Sequence, residues 1–166
     1  VLRTRNRPEM LRAALEDILA QTFDDFEIVL VDDGDSAEAV QAIAGELGDP
    51  RIRIIDHTSE SHGRAPAANA GLRAARGEFL VLHDDDDAWK PEFLERTVAH
   101  LDADPASMAV SARTEVVIHR AGGEDRALLN QGMDAITLPE MLRVNRITTN
   151  SLLYRSALHD EIGYID

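Results

Sequence analysis

The chain has 166 residues and a formal net charge of −14, so it can bury one hydrophobic core but lacks the basic surface that binds nucleic acid or an anionic membrane. It contains no cysteine, which excludes disulfides, thiolate metal ligands and a cysteine nucleophile. No apolar run approaches the roughly 20 residues of a membrane-spanning helix, and residues 1–4 lack a secretory pattern, so the sequence predicts a cytoplasmic protein without a membrane span.

The first half of the chain alternates between apolar strands and amphipathic helices. The predicted strands are residues 1–4, 28–31, 52–55 and 79–82. Asn6 is the expected cap of the first helix, because Pro8 suits a first turn and Glu9 completes an Asn-x-x-Glu box. Two further helices are expected, one at about 66–75 and one whose apolar face is Val40, Ile43, Ala44 and Leu47. The polar residues 57–63 are expected to form a loop.

The second half gives weaker signals. Pro91 is expected to open a helix with Leu94, Val98 and Leu101 in register, and residues 109–118 predict one or two strands. Residues 120–134 contain two adjacent glycines and no periodicity, so a loop is expected there. A short helix, a strand and a last capped helix are expected at 138–144, 151–154 and 156–162. Because no repeat or linker divides the chain, residues 1–166 are predicted to form a single domain.

The β-α-β-α-β-α-β order predicts an α/β fold, a three-layer α/β/α sandwich with a mainly parallel sheet. Ligands of such sheets lie outside the carboxyl ends of the strands. Two acidic segments fall there, Asp32-Asp33 and the run from Asp84 to Asp87, and we expect them to meet. Four consecutive carboxylates repel one another, so the run, which we call the acidic run, predicts a cation site.

Four segments occur in order along nearly the whole chain: Asn6-Arg7-Pro8, Val31-Asp32-Asp33-Gly34, Asn69-Ala70-Gly71-Leu72, and Arg76-Gly77-Glu78-Phe79 leading to Asp84-x-Asp86-Asp87-x-Trp89-x-Pro91. Each segment alone is a weak signal, because many turns contain Asp-Asp-Gly. Together they resemble the family 2 glycosyltransferases, which have the Rossmann-like GT-A fold with a nucleotide-binding sheet. The resemblance implies inverting transfer of a sugar from a nucleotide-diphosphate donor to an acceptor hydroxyl.

The resemblance also implies roles for individual residues. Asp33 would contact the nucleotide base, Asp84 would lie near the ribose, and Asp86 would bind Mn²⁺ or Mg²⁺ on the diphosphate. Such an ion suits a diphosphate leaving group, because it stabilises the negative charge that develops there. Further donor contacts are expected from Thr4, Asn6, Arg64, Asn69 and Asp85; Asp85 could also lie in a supporting position, and Asn69 could serve helix packing.

Departures from the family pattern concern the residues that bind the donor and the position of the catalytic base. The family usually has Arg before the Asn of the third segment, where this chain has Ala68, and Arg64 is the expected substitute. His83 replaces a usually apolar residue. Family members carry the catalytic base after a segment that resembles residues 162–166. The resemblance therefore implies a fragment, with a nucleotide-sugar-binding half at 1–104, a partial acceptor-side half at 105–166, and the base beyond Asp166. The acceptor, whether saccharide, lipid-linked or small molecule, is open.

Three other functions are consistent with parts of the pattern. A catalytically silent nucleotide-sugar-binding module would need no base. A sugar nucleotidyltransferase also uses carboxylate-bound Mg²⁺, but it would need a Gly-rich phosphate loop after the first strand, and residues 3–9 contain no glycine. A phosphate-receiver domain would need a lysine late in the sheet, whereas the single lysine is Lys90, directly after Trp89.

Overall fold

The computed structural model describes residues 1–35, 37–55, 63–129, 131 and 136–165. The strands are β1 (Leu2–Thr4), β2 (Ile28–Asp32), β3 (Ile52–Ile55), β4 (Phe79–Leu80), β5 (His83–Asp84), β6 (Ala109–Ser111), β7 (Glu115–Arg120), β8 (Gly123–Leu128) and β9 (Leu152–Arg155). The helices are α1 (Pro8–Leu19), α2 (Ala37–Leu47), α3 (Arg64–Ala74), α4 (Phe93–Ala103), α5 (Leu138–Met141) and α6 (Leu158–Ile162), with a 3₁₀ turn at Thr149–Ser151.

The central sheet has the strand order β3-β2-β1-β5, and all of its pairs are parallel. Helices cover both faces. One face packs against α1 and α2 around the buried residues Leu2, Leu11, Ala14, Leu15, Ile18, Ile28, Leu30, Val40 and Ile43. The other face packs around Ala68, Leu72, Leu80, Leu82 and Tyr154. The predicted three-layer α/β/α sandwich is therefore confirmed.

Helix α3 packs tightly at Gly71 against the central sheet. A Cβ atom added at Gly71 would lie 2.2 Å from Val1 Cγ1 and 3.0 Å from Val31 Cγ2, both closer than ordinary van der Waals contact. The absence of a side chain at Gly71 thus lets the helix approach β2, which is the packing explanation of this glycine.

The single strand predicted at 79–82 is wrong, because the chain changes sheets within it. β4 pairs antiparallel with β9 in a second sheet of order β4-β9-β6, whereas β5 pairs parallel with β1. The two residues between them belong to neither strand. An apolar run indicates that a segment is buried but does not identify its partner strand. The sequence pattern therefore could not predict that the chain passes from one sheet to the other here.

Four helix predictions need correction at their ends. Asn6 does not cap α1: Arg7 occupies the cap position, and Asn6 has a φ of 54° and accepts a hydrogen bond from the Asp35 N–H. α3 spans 64–74 rather than 66–75, since Pro66 is tolerated within a first turn. α5 ends at Met141, before the predicted residue 144, and α6 has no side-chain cap.

The loop predicted at 120–134 is also wrong over the described part of that segment. β8 pairs with β7 from Glu115 opposite Leu128 to Arg120 opposite Gly123, so Ala121 and Gly122 form the two-residue turn of a hairpin and Gly123 begins β8. Gly123 has a φ of +145°, which side chains disfavour. Residues 130 and 132–135 lie outside the described residues, as do residues 57–62 of the other predicted loop.

Candidate functional site

The carboxyl end of β1 is the centre of the candidate site. Thr4 lies opposite Asp32 of β2, and Arg3 lies opposite Asp84 of β5. The two acidic segments consequently lie at the same edge of the sheet, one on each side of β1, where parallel pairing predicts them.

Three arginines at alternate positions of β1 and the loop after it contact these carboxylates. Arg3 donates to Asp84 and also to the carbonyl of Arg64. Arg7 pairs with Asp85 and, at 2.9 Å, with Asp86. Arg5 lies 3.6 Å from Asp33. None of the roles predicted from the sequence falls on these arginines, although their spacing of two residues is a signal that a strand could present them on one face.

Asp85 is a buried anchor of the acidic run. Its side chain is 0% exposed, and it accepts a hydrogen bond of 2.7 Å from the Thr4 hydroxyl in addition to its ion pair with Arg7. A buried carboxylate needs such partners, because removing an unpaired charge from water costs roughly several kcal/mol of folding free energy. The geometry thus favours the supporting position for Asp85, and a donor contact by this residue stays a prediction.

The remaining three carboxylates of the acidic run converge. One oxygen from each of Asp84, Asp86 and Asp87 can be chosen so that all three lie within 4.8 Å of one another. Burial, together with the charges of Asp84 and Asp86, raises the pKa of Asp87 to about 6. A set made only of carboxylate oxygens suits a hard cation such as Mg²⁺ or Mn²⁺, whose charge would relieve this repulsion. Asp87 was not in the predicted ligand set.

Asp33 sits on the other side of β1 in a buried position. Its two carboxylate oxygens accept from the Gly63 N–H at 3.0 and 3.1 Å, and its own N–H donates to the Thr4 carbonyl at 2.9 Å. Next to it, a Cβ at Gly34 would lie 2.3 Å from Asn6 Oδ1. Glycine at 34 therefore makes room for the Asn6 side chain that holds the Asp35 backbone.

Two predicted donor contacts lie on α3. The Asn69 side chain bonds both backbone groups of Ile165, accepting from its N–H at 3.0 Å and donating to its carbonyl at 2.6 Å. This favours the structural alternative for Asn69. Arg64 is exposed in the first turn of α3, and its carbonyl accepts from Arg3. Donor binding by either residue is a prediction that the geometry leaves open.

Aromatic residues fix the segment that follows the acidic run. The Trp89 backbone N–H donates to Asp17 and its indole N–H donates to the Asn150 carbonyl, both at 2.7 Å. The ring of His83 meets Trp89 edge-on at 4.5 Å, and Phe93 stacks on the other side at the same distance. Burial lowers the pKa of His83 to about 4, so its ring is neutral at neutral pH.

Comparison with known proteins decides the family. Residues 1–161 match the family described as Glycosyl transferase family 2. The chain belongs to this family. Among relatives of this family 2 chain, the uncharacterized glycosyltransferase YwdF of Bacillus subtilis is 33% identical over 169 residues, which cover 100% of the chain and 60% of that protein. The succinoglycan biosynthesis protein ExoO of Rhizobium meliloti is 37% identical over 110 residues, which cover 66% of the chain and 31% of ExoO.

Solved glycosyltransferases share the fold of this family 2 chain. The mannosyltransferase PcManGT from Pyrobaculum calidifontis, in complex with GDP-Man and Mn²⁺, has a TM-score of 0.71 at 24% identity, over 99% of the chain and 46% of PcManGT. TarS of S. aureus, in complex with UDP-GlcNAc, has a TM-score of 0.75 at 24% identity, over 99% of the chain and 47% of that protein. These likenesses confirm the predicted GT-A fold. The chain spans 60% or less of the length of the relatives named here.

No helix among the residues described by the structure is long and apolar enough to cross a membrane.

Proposed function

We propose that this chain carries the donor-binding part of an inverting glycosyltransferase, which moves a sugar from a nucleotide diphosphate to an acceptor hydroxyl. The observation that carries the proposal is the convergence of Asp84, Asp86 and Asp87 beside the end of β1, in a chain of glycosyl transferase family 2. The ligands of two solved structures of the same fold, GDP-Man with Mn²⁺ and UDP-GlcNAc, support a nucleotide-sugar donor.

The acidic run is the proposed holder of the divalent ion. Asp86 is the principal ligand, Asp84 and Asp87 complete the oxygen set, and Asp84 is also the proposed contact of the ribose. When bound, Mn²⁺ or Mg²⁺ would stabilise negative charge on the departing diphosphate as a Lewis acid. Arg3 holds Asp84 in place beforehand, so this carboxylate needs little reorganisation when the donor arrives.

The other side of β1 is the proposed nucleotide pocket, within a donor half at residues 1–104. Asp33 can accept a hydrogen bond from an N–H of the base, and Thr4 and Asn6 form the adjacent wall. Arg64, exposed in the first turn of α3 near Arg3, is the proposed contact of the diphosphate.

In the proposed reaction the acceptor oxygen forms a bond to the anomeric carbon from the face opposite the diphosphate. The bond from that carbon to the diphosphate oxygen breaks, and its electron pair leaves with the diphosphate. The acceptor proton passes to a general base. We assign no described residue to that base, and its position stays a prediction.

Calorimetric titration with UDP, GDP and dTDP, with and without Mn²⁺, tests the donor site. We expect one nucleotide to bind only with Mn²⁺ present, and Asp86→Ala to abolish that binding because the ion loses its main ligand. Asp25→Ala is the matched control. Asp25 is an exposed carboxylate that precedes β2, at the opposite edge of the sheet.

Two results would contradict the proposal. If no nucleotide binds with Mn²⁺ present, or if Asp25→Ala weakens binding as much as Asp86→Ala, the acidic run is not a donor site. Transfer of the sugar during a long incubation with the matching nucleotide sugar and a set of acceptors would exclude a simple binding module, because such a module would leave the donor intact.

A further inference from the structure

Arg7 is the residue of the site that contacts two carboxylates of the acidic run at once. Its guanidinium Nη2 pairs with Asp85 Oδ1, and its Nη1 donates to Asp86 Oδ2 at 2.9 Å. The two carboxylates differ sharply in exposure: the Asp85 side chain is 0% exposed and that of Asp86 is 53% exposed.

This difference makes the two ion pairs unequal. Asp85 is held by Thr4 as well as by Arg7, and leaving it without a cation would cost the full penalty of a buried charge. The Arg7–Asp86 pair is partly exposed, and pairs of that kind contribute little stability. Arg7 is therefore firmly attached at Asp85 and weakly attached at Asp86.

Asp86 is at the same time a member of the converging oxygen set. A divalent ion placed there would share this carboxylate with the guanidinium, and two cations on one carboxylate repel each other. A guanidinium stays charged at any pH that the protein tolerates, so it cannot give way by losing a proton.

We propose that Arg7 is a built-in counter-ion of the metal site, which an incoming divalent ion must displace from Asp86 while Arg7 remains on Asp85. The inference rests on the proposed function, because it concerns the same carboxylates. Its consequence is that the ion alone binds weakly, and binds well when the donor diphosphate supplies additional negative charge. Arg7 is thus a positioning residue that couples metal binding to donor binding.

Binding of Mn²⁺ alone, followed by the electron paramagnetic resonance signal of the free ion, tests this competition. We expect Arg7→Gln to bind Mn²⁺ roughly threefold to fivefold more tightly than the wild-type chain, the size expected for one partly exposed ion pair. Arg5→Gln is the matched control, because it removes the same charge from the same loop but contacts Asp33. We expect it to change the affinity less than twofold, by loss of long-range repulsion alone.

The results separate the inference from the function on which it rests. If Arg7→Gln binds Mn²⁺ no more tightly than Arg5→Gln, or more weakly than the wild type, the counter-ion role is wrong while the metal site stands. If the wild-type chain binds no Mn²⁺, or Asp86→Ala binds it equally well, the metal site fails and the counter-ion role fails with it.

A titration of the wild-type chain with Mg²⁺ gives a second measurement, which does not depend on whether the Arg7 variant folds. We expect the Arg7 Nε–H signal in the nitrogen-15 spectrum to shift as the backbone amides of residues 84–87 saturate. The signal of Arg155, which bonds Glu78 and the Leu101 carbonyl, is the internal reference and should stay in place. An unchanged Arg7 signal at saturation would overturn the proposal.

Discussion

At the scale of single residues, Thr4 supports both sides of the site, one through its side chain and the other through its backbone. The residue is 3% exposed, its hydroxyl donates to the buried Asp85, and its carbonyl accepts from the Asp33 N–H. The sequence predicted Thr4 as a wall of the nucleotide pocket, and the structure adds that it holds a carboxylate.

Replacing Thr4 by Val should destabilise the fold. The shape is kept, but Asp85 loses a hydrogen bond in a buried position, so we expect a loss of about 1–3 kcal/mol in the free energy of unfolding. Urea denaturation measures it. Thr4→Ser retains the hydroxyl and should recover most of the loss. Equal stability of Thr4→Val and the wild type would mean that the hydroxyl does not support Asp85.

Site residues were predictable from the sequence where they belong to a short continuous motif. The acidic run was placed at a strand end because it follows an apolar run, and the resemblance to the family implied the roles of Asp84 and Asp86 within it. Arg3 and Arg7 were not assigned, because their partners lie about 80 positions along the chain and only the pairing of β1 with β5 brings them together.

At the scale of elements, Glu27 ties β2, β3 and α3 to one another just before β2 begins. One carboxylate oxygen accepts from Arg53 of β3 at 2.9 Å, and the other accepts from the Arg76 N–H after α3 at 2.6 Å. Burial raises the pKa of Glu27, but the hydrogen bonds from Arg53 and Arg76 outweigh it, so the pKa lies below its ordinary value of 4.5.

Glu27→Gln should therefore lower stability in a pH-dependent manner. At neutral pH we expect a loss of about 1 kcal/mol, because the charge-assisted hydrogen bonds become neutral ones. The folded-state pKa is below the unfolded-state value, so the unfolded chain binds more protons and the advantage of the wild type should shrink as the pH falls below 4.5. Thermal denaturation from pH 7 down to pH 3.5, roughly, covers most of this window. A difference that is constant with pH would contradict the ionic origin.

Elements with strong periodicity were predicted well, and elements that depend on pairing were not. The parallel sheet followed from the alternation of strands and helices, because a parallel pair needs a crossover between its strands. The separation of β4 at 79–80 from β5 at 83–84, and the hairpin of β7 and β8, depend on partner strands that no local pattern identifies. Most of the hairpin residues are exposed, so burial left no alternation by which to recognise it.

At the scale of the whole molecule, the net charge of −14 opposes compaction, because carboxylates across the surface repel one another. Ion pairs such as those of Arg3 and Arg7 offset part of this repulsion locally. Salt screens the long-range part of the repulsion between carboxylates.

Raising NaCl to roughly 1 M shortens the Debye length to about 3 Å and should stabilise the chain. We expect the melting temperature to rise by about 2–4 °C, which corresponds to about 1 kcal/mol in a chain of this size. Potassium bromide at equal ionic strength is the control and should act alike if screening is the cause. A fall in melting temperature with both salts would show that attractive ion pairs dominate over the net charge.

The sequence by itself determined the α/β class, the parallel order of the central sheet, the family, and the strand ends at which the acidic residues lie. These properties follow from period, spacing and short motifs, all of which are local in the chain. Only the tertiary structure decided which carboxylates converge, which one is buried, and which arginines hold them. Those relations depend on strand pairing between distant segments and on burial, and both arise only when the two faces of the sheet have been covered by helices.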